Sequence, residues 1–508
     1  MSLELALGIA RSGLAAVQRN LSQASQNVAN AETPGYTRKT VAQQSLVVEE
    51  LPAGLRSGET QRAVDAALLG RLDQSRGALA ATTVREELLQ GIEQAHGAAG
   101  DGATLGDAVA ALANAFTGLR ASPADAGQQR AALGAAGTIA SRLNEVSAAI
   151  GAARQQAQDG ILAEVTAANA ALRQIASLTI QIKSGAAGDT AGLEDQRDQA
   201  IATLAESIKV QATRKPGGHL LLVARGGIVL PLDPARDVLA TGPASVSPDS
   251  YHGAGGTLPG VTLGGIDITG QLAGGRLGEY IALRDRTLPR YQAETDLVAV
   301  ALANRFDQEG LRLFTDSDGA SVPDATLAYA GSTQIGFAGR IRLSAAVSAD
   351  PSLLRNGTHA VTPTPGGPDG FLPNPPGGPA GFTTLLDRVL NYALGSEAAT
   401  GNPWPTISSV GLGPDGSLAS PFVPAGAIAD YASSVTTAQL GDRAAATEAK
   451  RQASSLHAAL ETRFTATSGV DIDAEMAGMV TLQNAYAANA RVLGTVQSMW
   501  EALLGSVR

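Results

Sequence analysis

Few side chains in this 508-residue sequence have a type and spacing that could do chemistry. The five histidines are His96, His219, His252, His359 and His457, and no two stand at metal-ligand spacing on one helix. No His-Glu-x-x-His pair occurs, so each histidine reads as a surface or capping residue. Asp316-Ser-Asp318-Gly319 resembles the opening of a calcium loop. It lacks the later ligands, including the closing glutamate, and reads as a turn. Asp471 and Asp473 could form an acid–base dyad, but nothing beside them suggests a pocket, and Asp473 reads as a helix N-cap. There is no Gly-x-x-x-x-Gly-Lys phosphate loop and no Gly-x-Ser-x-Gly nucleophile elbow. The sequence therefore predicts no catalytic residue, no metal site and no cofactor.

Composition narrows the partners. Lys and Arg total 37 against 47 Asp and Glu, and the net charge of −10 comes without a basic cluster. With aromatics at only 4%, neither nucleic acid nor an anionic membrane is an expected partner. No window approaches the ~18 consecutive apolar residues of a membrane helix, so no membrane insertion is expected. The first residues, with Glu4 and Arg11 interrupting the apolar run, do not read as a cleavable signal peptide. Cysteine is absent, which removes disulfides and thiol chemistry.

Proline divides the chain. Of 24 prolines, all but Pro34, Pro52 and Pro123 lie between Pro216 and Pro424. Interior prolines break helices, so the two ends can be long helices and the middle cannot. Short β-branched runs between Gly and Pro clusters, such as His219–Ala224 and Arg340–Ser344, read as strands. The fold class expected is multidomain α plus β: an elongated helical or coiled-coil stalk built from both termini, with an inserted β-rich outer domain. The expected parts are a terminal coiled-coil core (1–60 and 465–508) and a helical bundle (61–209 and 425–464) with a long helix at about 123–184. The third is the outer domain (210–424), with one helical segment at about 283–308 and a Pro/Gly linker at 363–381. Ser122, Pro123 and Asp125 read as the capped start of the long helix.

Both ends carry a heptad-like seam. Leu3, Leu7, Ala10, Leu14, Val17, Leu21, Ala24 and Val28 alternate at spacings of four and three. At the other end Ile472, Met479, Tyr486, Leu493, Trp500 and Val507 recur every seven residues, with Leu482, Asn489, Val496 and Leu503 three residues after four of them. Asn489 is the polar member, of the kind that fixes register. The spacing suits a coiled coil and equally suits amphipathic helices packed in one domain. Between the N-terminal seam and the middle stands Asn27-x-x-Asn30, followed by Thr33-Pro34-Gly35-Tyr36-Thr37-Arg38. Physically it is a helix exit: Pro34 disfavours helix at Thr33, and Pro-Gly favours a type II turn.

That segment resembles the N-terminal signature of bacterial flagellar rod, hook and hook-associated proteins. The run Ser468-Gly-Val-Asp through Arg491-Val is similar to the C-terminal signature of the same family. The two signatures stand in the family's order and together are far more specific than either alone. Tyr36-Thr37-Arg38 and the Ser-Gly-Val-Asp start point, within the family, to the hook-associated proteins of the hook–filament junction. The resemblance implies a secreted structural subunit of the extracellular flagellum, exported by the flagellar type III apparatus, with both seams acting as assembly interfaces. The implied partners are the hook protein, a second junction protein, other copies of the chain in a ring, and an export chaperone at the C-terminal helix. The alternatives are a hook or rod axial subunit and, in another class, a secreted adhesin-like binding module on a helical stalk.

Overall fold

The computed structural model describes residues 3–48, 51–97, 104–185 and 189–505; the side chain of Leu3 and the seam residue Val507 lie outside the described residues. Helix α1 (Leu3–Ala29) leads into a long antiparallel hairpin of β1 (Lys39–Val48) and β2 (Leu51–Arg62). The hairpin starts in register Lys39↔Arg62 and shifts twice, between Val41 and Gln43 and between Leu46 and Val47. It folds back along α1, where the Leu55 amide donates to Ser12 Oγ at 3.1 Å. Four helices follow: α2 (Ala66–His96), α3 (Leu105–Ala121), α4 (Ala126–Ser184) and α5 (Ala191–Ser207).

Helix α4 is the spine. Its 59 residues span ~90 Å at 1.5 Å per residue. An alanine-rich sequence with strong helix formers sustains it. Asp125 caps its start by accepting from Gln128 N at 2.8 Å, and Gly185 ends it with a left-handed φ of 61°. The cap thus falls three residues later than Ser122, which instead closes α3 through its amide to Leu119 O. Along α4 Ile139, Leu143, Val146, Ile150, Ala157, Ile161, Val165, Leu172 and Ile175 are all buried, repeating at helical spacing. Gly160 admits a close neighbour: a Cβ there would lie 2.6 Å from the Tyr280 ring.

The middle region packs on this spine. Strands β3 (Val210–Arg214), β4 (Leu220–Ala224) and β5 (Val229–Leu230) form one small antiparallel sheet. Strands β6 (Leu239–Ala240), β7 (Thr262–Leu263) and β8 (Ile266–Asp267) form another. Helices α6 (Gly275–Ala282) and α7 (Leu288–Gln308) are joined by a wider helical turn at 283–287, and irregular chain with short helical turns and two-residue strand pairs follows. One apolar cluster joins the C-terminal half of α4 to α5 and the two sheets, through residues such as Ile175, Ile201, Leu222 and Val261. A second joins its N-terminal half to α3, α7 and the chain after 311, with Leu143, Phe116, Phe306, Phe314 and Leu385. A smaller one lies between, where Val84 and Leu89 of α2 meet Val146, Ile150 and Tyr291. The middle region therefore shares its cores with the helical spine.

Two further helices close the chain: α8 (Ile428–Ser468), which runs along α2 and α3, and α9 (Ile472–Gly505), which packs on α1. Asp471, not Asp473, caps α9, accepting from Ala474 N at 3.0 Å. His96 is fully buried, contrary to a surface role, and its Nε2 meets Gln439 Oε1 of α8 at 2.7 Å. Among the described residues no helix is long and apolar enough to cross a membrane.

The strandless loop at 241–260 is pinned by arginines. Arg154, 2% exposed on α4, donates to the carbonyls of Ser247, Pro248, Ser250 and Arg284. Arg284, fully buried, is held by Asp285, Gln158 and the Pro259 carbonyl. Removing the Arg154 guanidinium would strip buried carbonyls of their donor, at ~1–3 kcal/mol for each group left unsatisfied. Arg154→Met is therefore expected to lower stability by about 3 kcal/mol or more, measured by chemical denaturation. An unchanged midpoint would mean that water replaces those bonds.

Candidate assembly site

Helices α1 and α9 lie antiparallel. Leu7 shares a groove of about 520 Å3 with Val496 and Trp500, Gly13 faces the Asn489 amide, and Ser25 Oγ lies 3.7 Å from Met479 Sδ. Of the N-terminal seam, Val17 is buried, and Leu7, Leu14, Leu21 and Val28 are partly buried. Of the C-terminal seam, Val496 is buried and Met479, Leu482, Asn489 and Leu493 are partly covered. Ile472, Tyr486, Trp500 and Leu503 remain exposed at 45%, 37%, 40% and 51%. The pair thus covers only part of the apolar surface that its ends carry.

At the foot of this pair the N-terminal signature forms a knot of polar contacts. Asn27, 1% exposed, is its centre. Its Oδ1 accepts from the Tyr36 hydroxyl at 2.9 Å and from Lys39 N at 3.2 Å, and its Nδ2 donates to Lys39 O at 2.9 Å. The amide thus satisfies both polar groups of the residue that starts β1 and fixes where the strand leaves the helix. Asn30 Nδ2 donates back to Gln26 O at 2.9 Å, and the Thr33 hydroxyl reaches Asn30 Oδ1 at 3.4 Å. The chain turns at Thr33–Tyr36, with Tyr36 N donating to Thr33 O at 3.1 Å. Gly35 sits at φ 76°, the positive value that a type II turn demands. The Pro34 carbonyl accepts from Gln199 of α5.

Beyond the turn lies a buried ionic network. Lys39 Nζ is 2.6 Å from Asp195 Oδ2 and 3.5 Å from the centre of the Tyr36 ring. Arg62 Nε is 2.8 Å from Asp195 Oδ1 and its Nη2 is 2.7 Å from Asp198 Oδ2. Arg214 of β3 reaches Asp198 Oδ1 at 2.6 Å, and the Thr37 hydroxyl donates to Asp195 Oδ1 at 2.6 Å. Burial works to lower the Arg62 pKa, but Asp198 and Asp195 outweigh it and hold it above its ordinary value. Burial, with the carboxylates of Asp195 and Glu475, pushes the Tyr36 hydroxyl up to about 12. The hydroxyl stays protonated and serves as a hydrogen-bond donor to Asn27.

The two terminal signatures meet here. Arg38 Nε pairs with Glu475 Oε1, in the first turn of α9, at 2.7 Å. The Arg38 amide donates to Ser468 O at 2.8 Å, and Arg38 O accepts from Ala63 N at 2.9 Å. The segment that leaves α1 is thereby hydrogen-bonded both to the segment that enters α2 and to the segment that enters α9. Sequence reasoning singled out Asn27, Tyr36 and Arg38 but missed Lys39, Arg62, Asp195, Asp198 and Arg214. The available signal was Asp195 and Asp198, three residues apart and so on one face of α5.

Asp73 of α2 borders this network. It is 5% exposed, and burial raises its pKa from 3.8 to about 6 despite Arg76 and Arg214 nearby, with Asp198 adding to the rise. A carboxyl raised in the folded state favours folding most below its unfolded pKa. That contribution is lost as pH rises through about 6. Asp73→Asn is therefore expected to stabilise the chain at pH 8 and to change little at pH 4, as read from paired thermal melts. A gain that is the same at both values would refute the raised pKa.

Among the described residues no group of three or more His, Cys, Asp or Glu could hold a metal ion. Asp316 pairs with Arg340, and Asp318 accepts from the amides of Ala320 and Ser321, which is a turn's chemistry. The architecture is thus a stalk formed by both chain ends, knotted to a long helical spine with small sheets in its middle region. Three family models match it in succession. One described as a flagella basal body rod protein matches residues 7–37, the flagellar hook-associated protein FlgK helical domain matches 89–319, and the flagellar basal body rod FlgEFG protein C-terminal matches 462–505. The chain is 25% identical over 320 residues to flagellar hook-associated protein 1 of Salmonella typhimurium, covering 61% of this chain and 57% of that one. It is 26% identical over 317 residues to the Escherichia coli K12 protein of the same name, covering 59% and 56%. The solved structure of the flagellar hook junction protein FlgK from Burkholderia pseudomallei aligns with 24% identity and a TM-score of 0.40, over 50% of this chain and 45% of that one. The matched region thus spans a little over half the length of the Salmonella and Escherichia relatives. These matches are all to flagellar rod and hook-associated proteins, which are structural proteins and not enzymes.

Proposed function

We propose that the chain is an axial subunit of the bacterial flagellum that sits at the hook–filament junction and assembles through its paired terminal helices. The observation that carries this reading is the Arg38–Glu475 contact, which joins the two family signatures in one joint. Apolar surface left open on α9 supports assembly as its use, since an exposed apolar face invites a partner. The partners in this reading are the hook protein, a second junction protein and further copies of the chain in a ring. Before export an amphipathic-helix chaperone contact shields α9. Export runs through the flagellar type III apparatus in unfolded form, and a chain without cysteine can form no disulfide on the way.

Electron microscopy of a strain deleted for the gene, with an assay of flagellin in the medium, tests this. Complete hooks without filaments and flagellin shed as monomer are the expected result. Absent or truncated hooks would move the protein to the hook or rod, and normal filaments would overturn the axial reading.

A further inference from the structure

The segment 363–381 carries seven prolines and six glycines in 19 residues. It lies as a strap across the end of α7, and Phe371 is its plug: this ring is 4% exposed, whereas the next side chain, Leu372, is 77% exposed. The ring presses on the backbone of Gly310 and Gly357, both at positive φ (97° and 91°), where a Cβ would run into it. Arg388, which ends the short helix Thr384–Arg388, lies 5.5 Å over the ring centre, and its Nη2 donates to the strap carbonyl of Asp369 at 2.9 Å. Glu309, directly after α7, supplies the counter-charge. Its side chain is fully buried, with Oε2 2.7 Å from the same Nη2. Yet neither carboxylate oxygen accepts a hydrogen bond among the described residues. The bonds that Arg388 makes go to backbone carbonyls, Nε to Glu309 O at 3.2 Å and Nη2 to Asp369 O. A carboxylate that faces a cation but receives no N–H is poorly repaid for the water it gave up.

We propose that Glu309, Arg388 and Phe371 form a pH-sensitive latch, which grips the strap while the Glu309 carboxyl holds a proton and lets it lift more often once the proton is gone. Burial, against Arg388 and with Asp369 adding, pushes Glu309 up to about 7. Lifting Asp369 and Phe371 uncovers the carboxyl, which in water returns to its ordinary value of 4.5. Opening therefore releases a proton. It is favoured as pH rises from about 4.5 to about 7, and a further rise adds nothing. The other charged groups beside the latch pair with one another: Arg312 Nε lies 2.7 Å and His359 Nε2 3.8 Å from Asp307 Oδ1. The open form stays rare, because Phe371 must leave an apolar seat, and the latch sets how rare. When open, it presents Phe371 beside Leu372 on an arm of proline and glycine. The latch works within one chain and is independent of how the terminal helices pair.

Hydrogen exchange of the purified full chain tests this. The amides of Val361 and Phe371 bond to each other's carbonyls, and that of Asn374 bonds to Asn356 O, so exchange at all three reports lifting of the strap. Their protection, corrected for the intrinsic rate at each pH, is expected to fall on the order of 50-fold between pH 5 and pH 8, while that of α4 holds. In Glu309→Gln the strap's protection is expected not to change with pH. Phe371→Leu is expected to lower it at every pH and keep the slope, which provides a second reading should Glu309→Gln not fold. Flat protection in the unsubstituted chain, or an equal fall in α4, would overturn the latch. A slope that survives in Glu309→Gln would also overturn it and move the pH dependence to His359 and Asp307.

Discussion

A chain carrying Val496→Asp is expected to fold its bundle normally and yet be missing from assembled flagella. Val496 is 8% exposed, among the most deeply covered side chains of α9, and its neighbours across the contact come from α1. An aspartate there would bury an ionised carboxylate with no donor, or part the helices to reach water. Either outcome costs several kcal/mol, since an unpaired buried charge is among the most expensive changes a contact can suffer. The two-helix contact has little to offset this, because α9 is covered on one side only. The bundle, whose cores include no residue of α1 or α9, is unaffected. Leu493→Asp and Leu21→Asp, at partly buried seam positions, are expected to act in the same direction. Immunoblots of isolated flagella and spreading in soft agar read the loss, and a thermal melt of purified protein reads the intact bundle. Normal motility in all three variants would show that the seam is not an assembly surface.

The second large effect is expected at Asp195. Its carboxylate is the shared acceptor of Lys39, Arg62 and the Thr37 hydroxyl, and both cations are themselves buried. Asp195→Asn keeps the shape but leaves Lys39, 5% exposed, without its counter-charge. Breaking one partner of a buried pair typically costs about 3–5 kcal/mol. The loss is expected to be local: hydrogen exchange should quicken in α1, β1 and β2 and stay slow in α4. Adding Lys39→Met to Asp195→Asn removes the stranded charge and should restore at least half of the stability. Equal destabilisation in the single and double variants would show that the pair is not the source of the effect.

The parts of this architecture written in local spacing were readable in advance. The heptad rows at 3–28 and 472–503, the turn forced by Pro34 and Gly35, and the long alanine-rich helix each follow from neighbours a few residues apart. Even there the caps slipped: Asp125 and Asp471 hold the helix starts that Ser122 and Asp473 suggested, because several residues of capping type stood in a row. The ionic network was not readable. Lys39 meets Asp195 across 156 residues, and Arg38 meets Glu475 across 437. A pair of charges leaves no periodic trace in either segment. The burial of His96 was hidden for the same reason, since its partner Gln439 lies on a helix more than 300 residues away. In the middle region the Pro and Gly content marked loops correctly but said nothing of the carbonyls that Arg154 and Arg284 gather onto α4.

The joint at Arg38 has a mechanical consequence. Two bodies connected by one peptide strand can swivel freely about it, because single bonds turn with little resistance. Here two strands make the connection, one into α2 and one into α9, and both are stitched to the segment leaving α1 through the Arg38 carbonyl and amide. Twisting one body against the other must strain both strands at once, against backbone bonds and the Arg38–Glu475 pair together. Such a coupling passes torque from the terminal helices to the bundle without winding up, as a splined shaft does and a string does not.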